Sequence, residues 1–261
     1  MVDRITPRPP AEAQARTLAA TGREDRCVVM AEDFCQWVIE DHFCNGRPEW
    51  ENVGVQMVES VLPYEEAKIR LLNATHSCIA WAGALRGYGF IHEALADQDI
   101  HRLAWNYASE EAIPCLQPSP VDLPRYRDTV LARFRNPWIK DTVERVASDG
   151  FAKIPGFILP TILDRAARDQ SFVHTAMLPA LFLRFLQRCA DGGIAFVYRD
   201  QAMDGAILRD ILKAPDPIAA FCRVDTLWGE LAGTELLETA IRQAYLQVNF
   251  SLQQNFMEKV Q

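Results

Sequence analysis

Lys68-Ile-Arg-Leu-Leu-Asn73-Ala-Thr-His76-Ser-Cys-Ile-Ala-Trp-Ala-Gly83 is the stretch on which the reading of this chain turns. It lies in a segment, Pro63 to Arg86, whose pattern predicts one long helix. Pro63 suits a first helical turn, and Glu65 and Glu66 favour the positive end of the helix dipole. At about 100° per residue, His76 falls about 80° and Asn73 about 140° from Lys68, with Leu72 and Ile79 at about 40° and 20° in the same sector. An amine, an amide and an imidazole thus share a face otherwise fit for burial. Burial disfavours an ammonium and lowers its pKa, which makes Lys68 a candidate proton acceptor near neutral pH. Asn73 could donate to a developing alkoxide, and His76 could hydrogen-bond a hydroxyl. Spacing alone leaves the bland alternative open, because a helical Lys is commonly solvated and a helical Asn or His commonly a satisfied structural group.

The same helical period continues outward. Ile100, Leu103, Ala104 and Tyr107 are spaced i, i+3, i+4, i+7, with Pro114 bounding that helix. Asp122 is a candidate N-cap for a helix burying Leu123, Tyr126, Val130, Leu131 and Phe134. Asn136-Pro137 predicts another helix start, carrying Trp138, Ile139, Thr142, Val143 and Val146 to a stop near Asp149-Gly150. Further helices are expected from Leu178 to Gly192 and from Thr234 to Leu252, the last burying Leu236, Leu237, Ala240, Ile241, Ala244, Tyr245 and Val248. Upstream of about residue 60 the character changes. Residues 1–26 are polar, and Cys27–Met30 and Val53–Val58 read as short strands. Gly83, Gly87 and Gly89 end a helix instead of opening one, so they are no dinucleotide fingerprint.

Composition narrows the partners. The chain has 261 residues, 49% of them hydrophobic, enough to bury a sizeable core. A formal charge of −8 argues against a nucleic-acid partner. No apolar run approaches the roughly 18 residues of a membrane span; the strongest, Ala176 to Leu183, contains Pro179 and meets Arg184. Seven irregularly spaced cysteines and an N-terminus without an apolar stretch point to a reducing cytoplasm. Cys35, His42 and Cys44 cluster, but no C-x-x-C pair accompanies them, so no metal site is expected; Cys78 reads as a small buried apolar group.

The text around Lys68, Asn73 and His76 resembles the signature of the mannitol dehydrogenase family, long-chain, polyol-specific, metal-independent oxidoreductases. Upstream, Val2-Asp3-Arg4-Ile5-Thr6-Pro7, Glu32-Asp33-Phe34, Gln36-Trp37-Val38-Ile39-Glu40-Asp41 and Gly46-Arg47-Pro48 agree with it. Downstream, so do Arg133-Phe-Arg-Asn-Pro137, Arg145 and Asp149-Gly-Phe-Ala-Lys153-Ile-Pro155. The resemblance implies a mainly α fold: a helical C-terminal domain of a polyol long-chain dehydrogenase over residues 59–261. Residues 1–58 would be a short α/β remnant, the tail of a Rossmann-type cofactor domain, and the chain a truncated half of the enzyme. It implies Lys68 as general base, Asn73 as oxyanion donor and His76 as orienter of the reacting hydroxyl. Arg145 and Lys153 would line the substrate pocket, with Asp3 near substrate and nicotinamide and Val2 beside it on the cofactor side. The implied partners are a small-molecule polyol and the missing cofactor-binding domain, and the implied cofactor is NAD. Within the family, Asn73–Gly83, Phe90–Glu93 and Asp149–Phe157 look most like the branch interconverting D-arabinitol and D-xylulose. Mannitol 2-dehydrogenases and hexuronate reductases are the alternatives. A reading from another class, a non-catalytic helical interaction module, would have no need of the lysine-centred face.

Overall fold

Helices dominate because most of the chain carries the 3.6-residue apolar period; among the described residues, strands are confined to the first 58. The computed structural model describes residues 1–7 and 9–258, with side chains through Asn249. Near the N-terminus lie β1 (Val2–Asp3), helix α1 (Glu12–Thr21), β2 (Gln36–Glu40) and β3 (Gln56–Val58). β1 pairs antiparallel with β2, Val2 opposite Trp37, and β2 pairs parallel with β3, Val38 opposite Gln56. The expected strand at Cys27–Met30 is not formed: the segment finds no partner, and Val29 is left 68% exposed. The expected Val53–Val58 strand shortens to β3, since Trp50–Val53 closes a 3-10 turn. The strand that pairs on both sides, β2, carries the short apolar run Trp37-Val38-Ile39 and is not among the expected strands, nor is α1 among the expected helices.

The helical part opens with α2 (Leu62–Ala67), a π-helical stretch (Lys68–Ala74) and α3 (Thr75–Arg86) as one rod. Gly87, at φ 81°, caps its C-terminus in the left-handed conformation. α3 lies at the centre of the core and packs against α4 (Ile91–Ala96), α5 (Gln98–Asn106) and others named below. Gly83 permits the close approach of α4, because a Cβ there would lie 2.8 Å from that of Ala94. The α5 rod continues through a second π stretch (Tyr107–Ala112) into α6 (Ile113–Cys115). Asp122 then caps α7 (Leu123–Phe134) as expected, its carboxylate accepting from the Arg125 amide, and all five expected core residues are buried.

The helix expected from Asn136 does not start there. The chain turns at Lys140, φ 50°, and only α8 (Val143–Ala147) forms, capped by the Thr142 hydroxyl. α9 (Gly150–Lys153), a third π stretch (Ile154–Ile158) and α10 (Leu159–Ala167) follow, and then α11 (Val173–Ala190). α11 begins five residues before the expected Leu178. Its first amides, His174 and Thr175, are taken at 2.9 and 2.7 Å by the carboxylate of Glu111, a cap supplied from another helix. α12 (Gly205–Lys213), α13 (Pro217–Cys222), α14 (Asp225–Trp228) and α15 (Glu235–Glu258) complete the fold, with α15 lying along α11. Of the α15 residues expected inside, Leu237, Ile241, Ala244 and Val248 are buried, Ala240 and Tyr245 are half-buried and Leu236 is exposed. No helix of the described residues is long and apolar enough to cross a membrane.

The small sheet is held to the helices by ionic contacts. Arg133 of α7 grips both oxygens of Asp3 at 2.7 and 2.8 Å and reaches Glu32 at 2.6 Å. The Tyr126 hydroxyl donates to Asp3 at 2.5 Å, and the Glu32 carboxylate accepts from the Ile5 amide at 2.6 Å. Asp3, Glu32 and Arg133 are 1%, 3% and 8% exposed. Arg133→Leu therefore strands two buried carboxylates and is expected to destabilise the chain by about 3–5 kcal/mol, as breaking one side of a buried pair does. Urea unfolding measures this; a loss under about 1 kcal/mol would mean that water reaches the cluster freely.

Candidate active site

The π stretch alters the spacing from which Lys68 and Asn73 were read. In α geometry two residues five apart are about 140° apart around the axis. A π turn hydrogen-bonds i→i+5, which brings such residues nearer to one side. Both side chains are half-buried, and among the described residues neither makes a side-chain hydrogen bond. This stretch packs against the third π stretch, which begins immediately after Lys153.

One turn beyond Asn73, His76 is buried and its ring stacks on Phe134 with centroids 4.3 Å apart. Its Nε2 lies 3.3 Å from Asp141 Oδ2, close but without the alignment of a hydrogen bond. Arg145 grips the same carboxylate through Nε at 2.7 Å and Nη2 at 2.6 Å. Burial pushes the His76 imidazole below its usual pKa, Asp141 opposes this, and Arg145 and Lys153 reinforce it. The ring is therefore held toward its neutral form, able to donate at one nitrogen and accept at the other.

Asp141 was not singled out from sequence. The signal available was its i, i+4 spacing to Arg145 on the far side of Thr142. It is the hub of the cluster, since it touches both His76 and Arg145.

Lys153, like Lys68, is half-buried, and its surroundings shift its amine clearly. Burial lowers the Lys153 amine to about 8, with Arg145 pressing the same way and Asp149, Asp200 and Asp141 opposing. Its Nζ donates to the Val146 carbonyl at 2.6 Å. Arg145 keeps part of its surface in water. Asp3 stands apart, both oxygens engaged by Arg133, and Val2 is exposed. Asp3 nonetheless lies one step from the cluster: Arg133 and His76 line a common small cavity with His92 and Asp141. Among the described residues no group of three or more His, Cys, Asp or Glu is placed to hold a metal ion.

A pH dependence follows. Burial alone would raise the Asp141 carboxyl, but His76 and Arg145 outweigh it and hold the group at about 2, below its reference value of 3.8. A depressed carboxylate stabilises the fold above its unfolded pKa and loses that contribution as pH falls through the folded value. The expected loss is about 2 kcal/mol between pH 4 and pH 2. Asp141→Asn should flatten that part of the stability profile, read by urea unfolding at each pH. Equal slopes for the two proteins would refute the ionic role.

Residues 60–249 match the family profile described as the mannitol dehydrogenase C-terminal domain, and residues 1–52 that of the mannitol dehydrogenase Rossmann domain. D-arabinitol 4-dehydrogenase of Ralstonia nicotianae is 58% identical over 242 residues, covering 93% of this chain and 52% of its own. The Klebsiella pneumoniae protein of that name is 51% identical, covering 89% of this chain and 51% of its own. Mannitol 2-dehydrogenase of Pseudomonas fluorescens, solved as a ternary complex with NAD and D-mannitol, superposes with a TM-score of 0.85 at 32% identity. The match covers 98% of this chain and 54% of that one. The chain thus spans about half the length of the curated relatives it matches. A helical domain built around the Lys68–His76 rod, matched over its length by the C-terminal profile, places the chain in the mannitol dehydrogenase family.

Proposed function

We propose that these residues form the substrate-binding, proton-handling part of an NAD-dependent polyol dehydrogenase acting on D-arabinitol and D-xylulose. The observation that supports it most is the cluster His76–Asp141–Arg145 set one turn beyond a π-helical stretch bearing Lys68 and Asn73. Residues 59–261 would be the catalytic domain and residues 1–58 the tail of the cofactor domain. The arabinitol assignment rests on the two relatives of that name, at 58% and 51% identity.

In this reading the Lys68 amine takes the proton of the reacting hydroxyl, and the Asn73 amide donates to the oxygen as negative charge develops on it. His76, held toward its neutral form between Phe134 and Asp141, orients that hydroxyl. Arg145 and Lys153 hold the remaining hydroxyls, Arg145 fixed in place by Asp141. The dinucleotide itself does not fit on these residues. Among the described elements no Gly-rich turn leads from a strand into a helix, so its pyrophosphate has no cradle here. NAD belongs to the reading through the remainder of the length that the relatives possess.

The test uses the chain joined to a relative's cofactor domain. Lys68→Ala should lower kcat by about 10²–10⁴-fold, and Lys68→Arg should not rescue it, because a guanidinium keeps its proton. D-arabinitol should show a higher kcat/KM than D-mannitol, and a strong chelator should leave turnover unchanged. The 261-residue chain alone should oxidise neither polyol. Near-normal turnover by either Lys68 variant would move the base elsewhere.

A further inference from the structure

The segment between α11 and α12 has no regular structure, yet part of it is tied to the start of α9 by reciprocal hydrogen bonds. The Asp149 amide donates to the Arg199 carbonyl at 3.0 Å, and the Gln201 amide donates to Asp149 Oδ1 at 3.0 Å. The Gly150 amide donates to the Tyr198 hydroxyl at 3.0 Å, and the Phe151 amide to Asp200 Oδ2 at 2.8 Å. The Tyr198 hydroxyl in turn donates to the same Asp200 oxygen. The Tyr198 ring is braced edge-on against Phe185 at 5.3 Å and against Phe182 at 6.2 Å.

The turn held in this way is demanding. Asp149 has φ 58°, in the left-handed region where a non-glycine residue is strained. At Gly150 a Cβ would come within 2.1 Å of the Phe182 ring, so no other residue fits without moving the core. Lys153 follows at once, its amide bonded to the Asp149 carbonyl at 3.1 Å. The charged groups facing its amine are Asp149, Asp200 and Asp141 on one side of the balance and Arg145 on the other.

We infer that Tyr198 and Asp200 are positioning residues for Lys153: they lock the Asp149–Phe151 turn and so fix where the lysine's amine meets a substrate hydroxyl. The inference rests on the pocket role proposed for Lys153, but its geometry can be tested without turnover. In the 261-residue chain, amide exchange at Gly150 and Phe151 should speed up in Tyr198→Phe and Asp200→Asn. The Lys153 amine, followed by NMR, should titrate lower in Asp200→Asn, because a carboxylate favouring the ammonium is gone, and Asp200→Glu should restore it. In the completed enzyme both variants should raise KM for the polyol about tenfold while changing kcat by less than about twofold, the pattern of lost binding common to ground and transition state. Unchanged exchange and an unchanged Lys153 titration in folded variants would overturn the inference. So would kcat and KM changes that only track a lowered melting temperature. If the completed native enzyme turns over no polyol, the functional reading fails, while exchange and titration still decide whether Tyr198 and Asp200 hold the turn.

Discussion

A guanidinium taken out of water has to recover its hydration from the protein, and Arg133 does so with two carboxylates from a part of the chain over a hundred residues away. The cost of desolvating three charges is met only because the geometry is nearly saturated. Arg133 is bidentate to Asp3 and stacked over Phe34, and Glu32 and Asp3 accept further bonds from Ile5 and Tyr126. The small sheet has no extensive core of its own, so this cluster, with Ile5 buried beside it, is its principal attachment to the helices. The next residue in the chain, Phe134, forms the stacking wall for His76. The attachment of the sheet and the lie of the imidazole are therefore set by consecutive residues of one helix.

The proposed site is built on departures from regular geometry. Each of the three π stretches is flanked by α-helix, and the first packs against both others. A π turn widens the helix and loosens its hydrogen bonding, and such turns are frequent where function needs an altered side-chain direction. Here one of them carries Lys68 and Asn73, and another follows Lys153.

The helical architecture was legible wherever the apolar period was local and unbroken. The rod from Leu62 to Arg86, the Asp122-capped helix and the long last helix all formed where the pattern put them. The misses share a physical cause, which is information held outside the local window. Cys27–Met30 had the composition of a strand but no partner to bond. Gln36–Glu40, noted for its family resemblance and not as a strand, became the central strand because two neighbours paired with it. Asn136-Pro137 had the chemistry of a helix start, but the positive φ at Lys140 delayed the helix to Thr142. In the site, Lys68, Asn73 and His76 could be read on one face. The lowered amine of Lys153, and the hub role of Asp141, depended on how α8 and α9 fold back on that face.

The cap on α11 shows how such remote information redistributes constraint. A helix usually carries its own start signal, a short polar residue whose side chain takes the first free amides. α11 instead opens on Phe172 and Val173, and Glu111 performs that office from a residue more than sixty positions earlier. The opening turn of α11 is thereby relieved of any polar requirement, so Phe172 can be spent on the core and Thr175 can turn its hydroxyl to the same carboxylate. The instruction for where one helix begins is thus written inside another. In the divergence of such sequences, drift at Val173 should be tolerated freely while Glu111 stays fixed, although Glu111 has no part in the proposed site.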